Sequence, residues 1–139
     1  MPRFDEHGRP HDELLEWAVD AQLNGILCLR ALVLSIERGD AKLPIDPHAW
    51  DNTMAALEWM LTQHLAGEIH RAPPFTQQDL DRVRRVHLLG IEALSGGRRA
   101  PELGPLADQC LSSMAFGWRG HEPELPIRYP PPEPDELDA

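Results

Sequence analysis

The 139-residue sequence predicts an all-α fold, an antiparallel four-helix bundle followed by an extended, acidic, proline-rich C-terminal tail. Two observations predict this fold. Four segments repeat apolar residues at three- and four-residue steps, and residues that start or stop helices flank them. Because the connections are short, neighbouring helices are expected to be antiparallel. We expect an N-terminal arm (1–11), one bundle domain (12–120) and a tail (121–139).

The first predicted helix runs from about Asp12 to Arg38 and stops at Gly39, a residue type favoured just beyond helix ends. Its first half is amphipathic, and its second half is apolar nearly all round. Asn24 and Gly25 form a possible turn in the middle. The apolar pattern continues across them, so we predict one helix rather than two.

The second predicted helix begins with Asp46 and Pro47, a capping residue followed by proline in the first turn. We expect it to end before Pro73. Its apolar stripe consists of Trp50, Met54, Leu57, Leu61, Leu65 and Ile69.

The third predicted helix has the clearest start. Thr76 and Asp79 have the spacing of a capping box, and Phe75 and Leu80 lie where a hydrophobic staple would be. Residues 95–97, Ser-Gly-Gly, are expected to end it. Its inner face is predicted to contain Leu80, Val83, Val86, Leu89 and Leu94.

The fourth predicted helix starts at about Pro101 or Pro105 and ends at Phe116, before Gly117. The residues expected to face inward are Leu103, Leu106, Cys110, Leu111 and Met114.

The last 19 residues contain six prolines, which favour polyproline II and exclude a helix. They also contain six acidic residues and one arginine, so half of the chain's net charge of -10 lies there. We expect Ile127 and Tyr129 to contact the bundle and disorder from Pro130 onward.

The composition also limits the function. A strongly acidic chain repels phosphate backbones, so we expect no direct binding of nucleic acid. The apolar run 26–36 is about half a membrane span and contains Arg30, so we expect a buried helix and no membrane partner. Cys28 and Cys110 lie in apolar runs and indicate reduced thiols in a cytoplasmic protein without a signal peptide. No cofactor-binding motif is present.

The seven histidines raise the alternative of a metal-binding enzyme or sensor. His64 and Glu68 are four residues apart, so they share one face of the second helix. His87 on the third helix would complete a site of two histidines and one carboxylate if the helices pack antiparallel. The usual helical metal signatures are absent, so the interpretation of these residues as half-buried core groups is preferred.

Arg82 and His87 form an Arg-x4-His pattern, which resembles the motif of the HEPN ribonucleases, small helical bundles that cleave RNA with such a pair. The resemblance covers two residues. It implies a nuclease in which Arg82 and His87 act on RNA. The acidic composition opposes this alternative.

The sequence contains one basic cluster, formed by Arg82, Arg84 and Arg85 on the third helix and by Arg98 and Arg99 after it. It is either a solvated face with weak ion pairs or a docking patch for an acidic partner. The acidic tail of the same chain, 133–138, is one candidate for that partner.

The apolar surface predicts self-association. We expect at least three of the four tryptophans in the core, whereas Trp59 lies off the main stripe, as an interface anchor would. The first helix is too apolar to be covered by three others. We therefore predict a homodimer through Leu27 and Leu34 and, as the leading function, a small non-catalytic protein-binding module: an adaptor, inhibitor or accessory protein.

Overall fold

A computed structural model of the chain describes residues 12–69 and 74–115, with side chains from Glu16 onward. Within these ranges the fold is all-helical, and the predicted four-helix bundle is confirmed. The predictions for the arm, for Phe116 and Trp118 and for the tail concern residues outside this description. The helices are α1 (Asp12–Arg38), α2 (Pro47–Leu65), α3 (Gln77–Leu94) and α4 (Leu103–Met114).

Each helix packs against two others, so the four form a closed ring in chain order. Among the described residues, α1 contacts α2 and α4, and α3 contacts the same two helices. The side chain of Gln22 donates from Nε2 to the carbonyl oxygen of Met114 at 3.3 Å. At the other end, a Cβ built on Gly104 would lie 3.3 Å from Ile36 Cγ2. These two contacts show that α1 and α4 are antiparallel.

The core contains most of the predicted apolar stripes. Trp50 is fully buried, and Leu106, Leu89 and Leu94 are partly buried against the core. Leu65 is an exception, because it is 38% exposed at the last residue of α2. The fully buried large side chains are Trp50, Ile26, Leu29, Leu32, Met54, Leu57, Met60, Leu61, Ile69, Leu103 and Leu111.

Left-handed glycines follow three of the helices. Gly39, Gly67 and Gly96 have φ values of 75°, 83° and 86°. The predicted stops of α1 and α3 are confirmed, but α2 ends earlier than the sequence pattern indicates. There the Gly67 amide donates to the His64 carbonyl and the Glu68 amide to the Gln63 carbonyl, both at 3.0 Å. This Schellman motif explains why Ile69 is buried but not helical.

The helix starts follow the predicted capping chemistry. The Asp46 carboxylate accepts from the amides of His48 and Ala49 at the start of α2. At the start of α3, the Thr76 hydroxyl accepts from the Asp79 amide, and the Asp79 carboxylate accepts from the Thr76 amide. The predicted capping box is therefore confirmed.

The longest helix, α1, is continuous through Asn24 and Gly25, as predicted. By length and composition alone, its stretch Glu16–Arg38 is long enough and apolar enough to cross a membrane, a test that core helices of soluble proteins also pass. At 23 residues, this stretch is about twice as long as the apolar run 26–36 noted in the sequence. In the bundle, α1 packs against α2 and α4.

A glycine sets the close approach of α2 and α3. A Cβ built on Gly90 would lie 2.3 Å from Trp50 Cε2. The Trp50 ring is held in place because its Nε1 donates to the His87 carbonyl oxygen at 3.0 Å. This contact fixes the register that brings His87 beside the acidic residues of α2.

Candidate functional site

A histidine between two carboxylates lies at the α2–α3 contact. His87 Nδ1 is 2.5 Å from Glu58 Oε2, and His87 Nε2 is 2.7 Å from Asp51 Oδ1. A neutral imidazole has one N–H to donate, whereas the imidazolium has two. Both contacts are therefore hydrogen bonds only when the ring is protonated.

Arg84 extends this cluster to four ionisable side chains. Its Nε is 3.6 Å from Glu58 Oε1, the oxygen that His87 does not contact. The His87 side chain is 12% exposed and that of Asp51 is 55% exposed, so the cluster runs from the helix contact to solvent. The group ties α2 to α3 by charge-assisted hydrogen bonds.

The predicted metal ligands do not come together. His64 Nε2 accepts a hydrogen bond from the Phe75 amide at 2.9 Å, beside the buried Phe75 ring. His87 lies on α3, twelve residues after Phe75, between Glu58 and Asp51. In the part of the chain that the structure describes, no group of three histidine, cysteine or acidic side chains is arranged to hold a metal ion. His64, Glu68 and His87 are therefore not one site.

The predicted nuclease pair is also separated. Arg82 Nη1 is 3.5 Å from Asp79 Oδ1, and Arg82 lines a small cavity beside Cys110. His87 faces α2 instead, where each of its ring nitrogens contacts a carboxylate oxygen. Since carboxylates repel a phosphate group, this surrounding is unfavourable for an RNA backbone.

The α3 arginines of the basic cluster have acidic neighbours in the same chain. Arg85 Nη2 donates to Glu102 Oε1 at 2.6 Å, across the α3–α4 contact. Arg84 faces Glu58, and Arg82 faces Asp79. Each of these three guanidinium groups therefore has an acidic partner, as expected of a solvated face with ion pairs.

A second candidate site is a groove between α1 and α2, with a volume of about 410 Å³. The rings of Trp17 and Trp59 meet edge to face, with centroids 6.1 Å apart and planes at 62°. Trp17 is 50% exposed and Trp59 is half-buried. The residues that line the groove are Trp17, Asp20, Ala21, Asn24, Ala56 and Trp59.

The tryptophans differ from the sequence expectation of at least three in the core. Of the three in the described ranges, Trp50 alone is fully buried. Trp59 lines a surface groove, as its place off the main stripe indicates. The exposure of Trp17 was not predicted. Its position in the amphipathic half of α1 could have indicated it, because side chains opposite the core stripe of such a helix face solvent.

The predicted dimer residues lie on the outward side of α1. Leu27 is 47% exposed, whereas Leu34 is half-buried against its own core. They are seven residues apart, so they share one side of the helix at two turns' distance. Leu88, 69% exposed on α3, is another solvent-facing leucine.

A third cavity, of about 660 Å³, lies between the α1–α2 loop and the end of α3. Leu43, Ile45 and Leu94 give it apolar walls, and Lys42 and Arg99 give it positive charge. Arg99 donates from Nη2 to the Asp40 carbonyl oxygen at 3.1 Å. This hydrogen bond joins the α3–α4 connection to the α1–α2 loop.

The two thiols lack the setting of a nucleophile. Burial raises the pKa of Cys110 to about 12. Burial also raises the pKa of Cys28, against a smaller opposing effect of its hydrogen bond with Thr53. Both cysteines are free, and thiols of raised pKa react slowly.

Comparisons with models of known protein families, with curated proteins and with solved structures found no match to this chain. The geometry of the described residues is therefore the basis for a functional proposal.

Proposed function

We propose that this protein is a small, non-catalytic protein-binding module, an adaptor, inhibitor or accessory protein, that acts as a homodimer in the cytoplasm. The observation that carries the proposal is the exposure of large apolar side chains on α1: Trp17 and Leu27 are about half exposed, and the Trp17 ring meets that of Trp59 on α2. Exposed tryptophans with apolar neighbours are typical anchors of protein interfaces. The titratable side chains at the α2–α3 contact bind one another, which supports a structural role for them.

The dimer contact in this proposal is two-fold, with the outward side of α1 facing its copy. Leu27 is 47% exposed there, and the half-buried Leu34 lies two turns further along the same side. A contact between two helix faces buries less than the roughly 1,600 Å² of a standard interface. We therefore expect a dimer that dissociates on dilution.

Neither a membrane nor a nucleic acid is part of the proposal. The packing of α1 against α2 and α4 supports a role for its apolar residues in the bundle. The net charge of -10 and the pairing of Arg82, Arg84 and Arg85 with acidic residues disfavour phosphate groups.

Sedimentation velocity over a concentration series tests the dimer. The wild-type chain is expected to shift from monomer to dimer with concentration, whereas Leu27→Glu should remain monomeric because it places a carboxylate in the contact. Leu88→Glu is the matched control, since Leu88 is more exposed than Leu27 but lies on α3, which does not contact α1 in the described residues. Equal self-association of both variants would refute the assignment of the dimer to α1.

A further inference from the structure

We propose that the groove between Trp17 and Trp59 binds the proline-rich segment 123–134 of the same chain. This inference deepens the proposed function, on which it rests, because it names the class of segment that the docking surface takes. The occupant is an extended polyproline II strand, and the groove holds it through two tryptophan faces and one carboxylate.

The groove has the chemistry that recognises proline-rich segments. Such segments dock on exposed aromatic rings because a polyproline II strand is already extended and loses little entropy on binding. Trp17 and Trp59 supply two rings at a mutual angle of 62°, so they form the sides of a notch rather than a flat stack. Asp20 places a carboxylate beside them, and Asn24 adds a side-chain amide.

The chain supplies a matching ligand. Residues 123–126 and 131–134 both have a proline at each end of a four-residue stretch, which is the spacing of one face of a polyproline II helix. Arg128 and Tyr129 stand just before Pro130, which precedes the second stretch. Arg128 is the one arginine or lysine in 121–139, and Asp20 is the carboxylate in the groove, so the charges are complementary.

The place where α4 ends favours an occupant from the same chain. The Met114 carbonyl oxygen accepts from Gln22 Nε2, so the last residue of α4 lies beside α1. Gln22 is five residues beyond Trp17, a distance of about 7.5 Å along the helix axis. The eight residue steps from Ala115 to Pro123 can span up to roughly 26 Å when extended, more than twice the diameter of a helix of about 10–12 Å.

Indole N–H signals in a ¹⁵N–¹H spectrum of the full-length chain test the proposal. Replacing Pro131, Pro132 and Pro134 by glycine should shift the signals of Trp17 and Trp59, because the segment loses its preformed extended shape. Trp50 is the internal control, since its buried indole donates to the His87 carbonyl far from solvent. Single tryptophan-to-phenylalanine variants assign the signals.

A charge exchange tests the orientation of the segment. Arg128→Glu should shift the same two signals toward those of the glycine variant, and adding Asp20→Arg should return them toward the wild-type positions. Unchanged Trp17 and Trp59 signals in the glycine variant would overturn the proposal. Shifts that appear only at high protein concentration would also overturn it, because they would assign the groove to the tail of a second copy.

The outcome can be separated from that of the proposed dimer. Leu27→Glu removes the dimer contact but leaves the residues that line the groove unchanged. The tail-dependent shifts are therefore expected to be the same in Leu27→Glu as in the wild-type chain, whether or not sedimentation detects a dimer.

Discussion

His87 shows how one residue can organise a helix contact through both its side chain and its main chain. The ring lies between Glu58 and Asp51, and its backbone carbonyl accepts from Trp50 Nε1. The side chain and the main chain of one residue therefore bind three residues of α2. None of these contacts can be read from the sequence, because they depend on the register between α2 and α3, which the buried Trp50 and Gly90 determine.

The two carboxylates around His87 are expected to contribute unequally to stability. Glu58 is 24% exposed and also faces Arg84, so Glu58→Ala should lower the free energy of unfolding by about 1.5–3 kcal/mol, the range for hydrogen bonds to charged groups. Asp51 is mostly in solvent, so Asp51→Ala should cost less than about 1 kcal/mol. Urea unfolding measures both values. Equal losses would contradict the described burial of the cluster.

Asp40 provides a pH-dependent contribution at the end of α1. A hydrogen bond from Ser35, then one from Arg38, lowers the pKa of its carboxyl. Because the folded pKa is below the unfolded value of about 3.9, the contribution is present above that value and is lost as the pH falls through the folded pKa.

Asp40→Asn is therefore expected to be less stable than the wild-type chain at neutral pH, with a difference that shrinks as the pH falls below about 4. Urea unfolding over a pH series measures the difference. Ser35→Ala, which removes the hydrogen bond from the Ser35 hydroxyl, should show the same convergence. A gap that stays constant down to acid pH would show that the charge of Asp40 contributes nothing.

At the scale of the helices, glycines decide where helices stop and how closely they pack. Gly39 and Gly96 end their helices as the sequence indicates, because a left-handed residue after a helix is a local signal. Gly67 has the same conformation after α2, but the apolar spacing continues to Ile69, so the sequence pattern does not show that α2 ends before it. The pattern extends past the helix because Ile69 is buried in the loop rather than on α2.

Gly90→Ala and Gly25→Ala form a matched pair within helices. Alanine is more favourable than glycine inside a helix by about 1 kcal/mol, so both substitutions gain this contribution to the free energy of unfolding. At Gly90 the new Cβ would lie 2.3 Å from the fixed Trp50 ring, and overpacking of about 1–3 kcal/mol should make the variant less stable. At Gly25 it would lie 2.9 Å from the end of the Leu57 side chain, which can rotate, so a near-neutral change is expected. Thermal unfolding compares them, and a stabilised Gly90→Ala would contradict the close approach of α2 and α3.

The helix starts were predictable for the same reason as the glycine stops. A capping box needs only the spacing of Thr76 and Asp79, and an Asp-Pro start needs only two adjacent residues. The start of α4 carries no such signal, since Glu102 makes no capping hydrogen bond with its side chain. Its predicted start was accordingly uncertain between two prolines, and the helix begins between them, at Leu103.

At the scale of the whole molecule, surface and core are divided differently from what the sequence indicates. Packing in the ring of four helices buries Ala18, Ile26 and Leu29 of α1, whereas Leu27 and Trp17 face solvent. Hydrophobic composition predicts that α1 needs cover but not which of its residues lack it. The spatial pairing of Trp17 with Trp59, which creates the groove, needs the antiparallel packing of α1 on α2.

We propose that the chain associates with itself and with protein segments and carries no bound metal or small molecule. Native mass spectrometry of freshly purified, untagged protein over a concentration series tests this proposal, since it reports subunit number and bound mass together. We expect two chains at high concentration, one chain on dilution and no added mass. A single chain at every concentration, or an excess that matches a metal ion or an organic ligand, would contradict it.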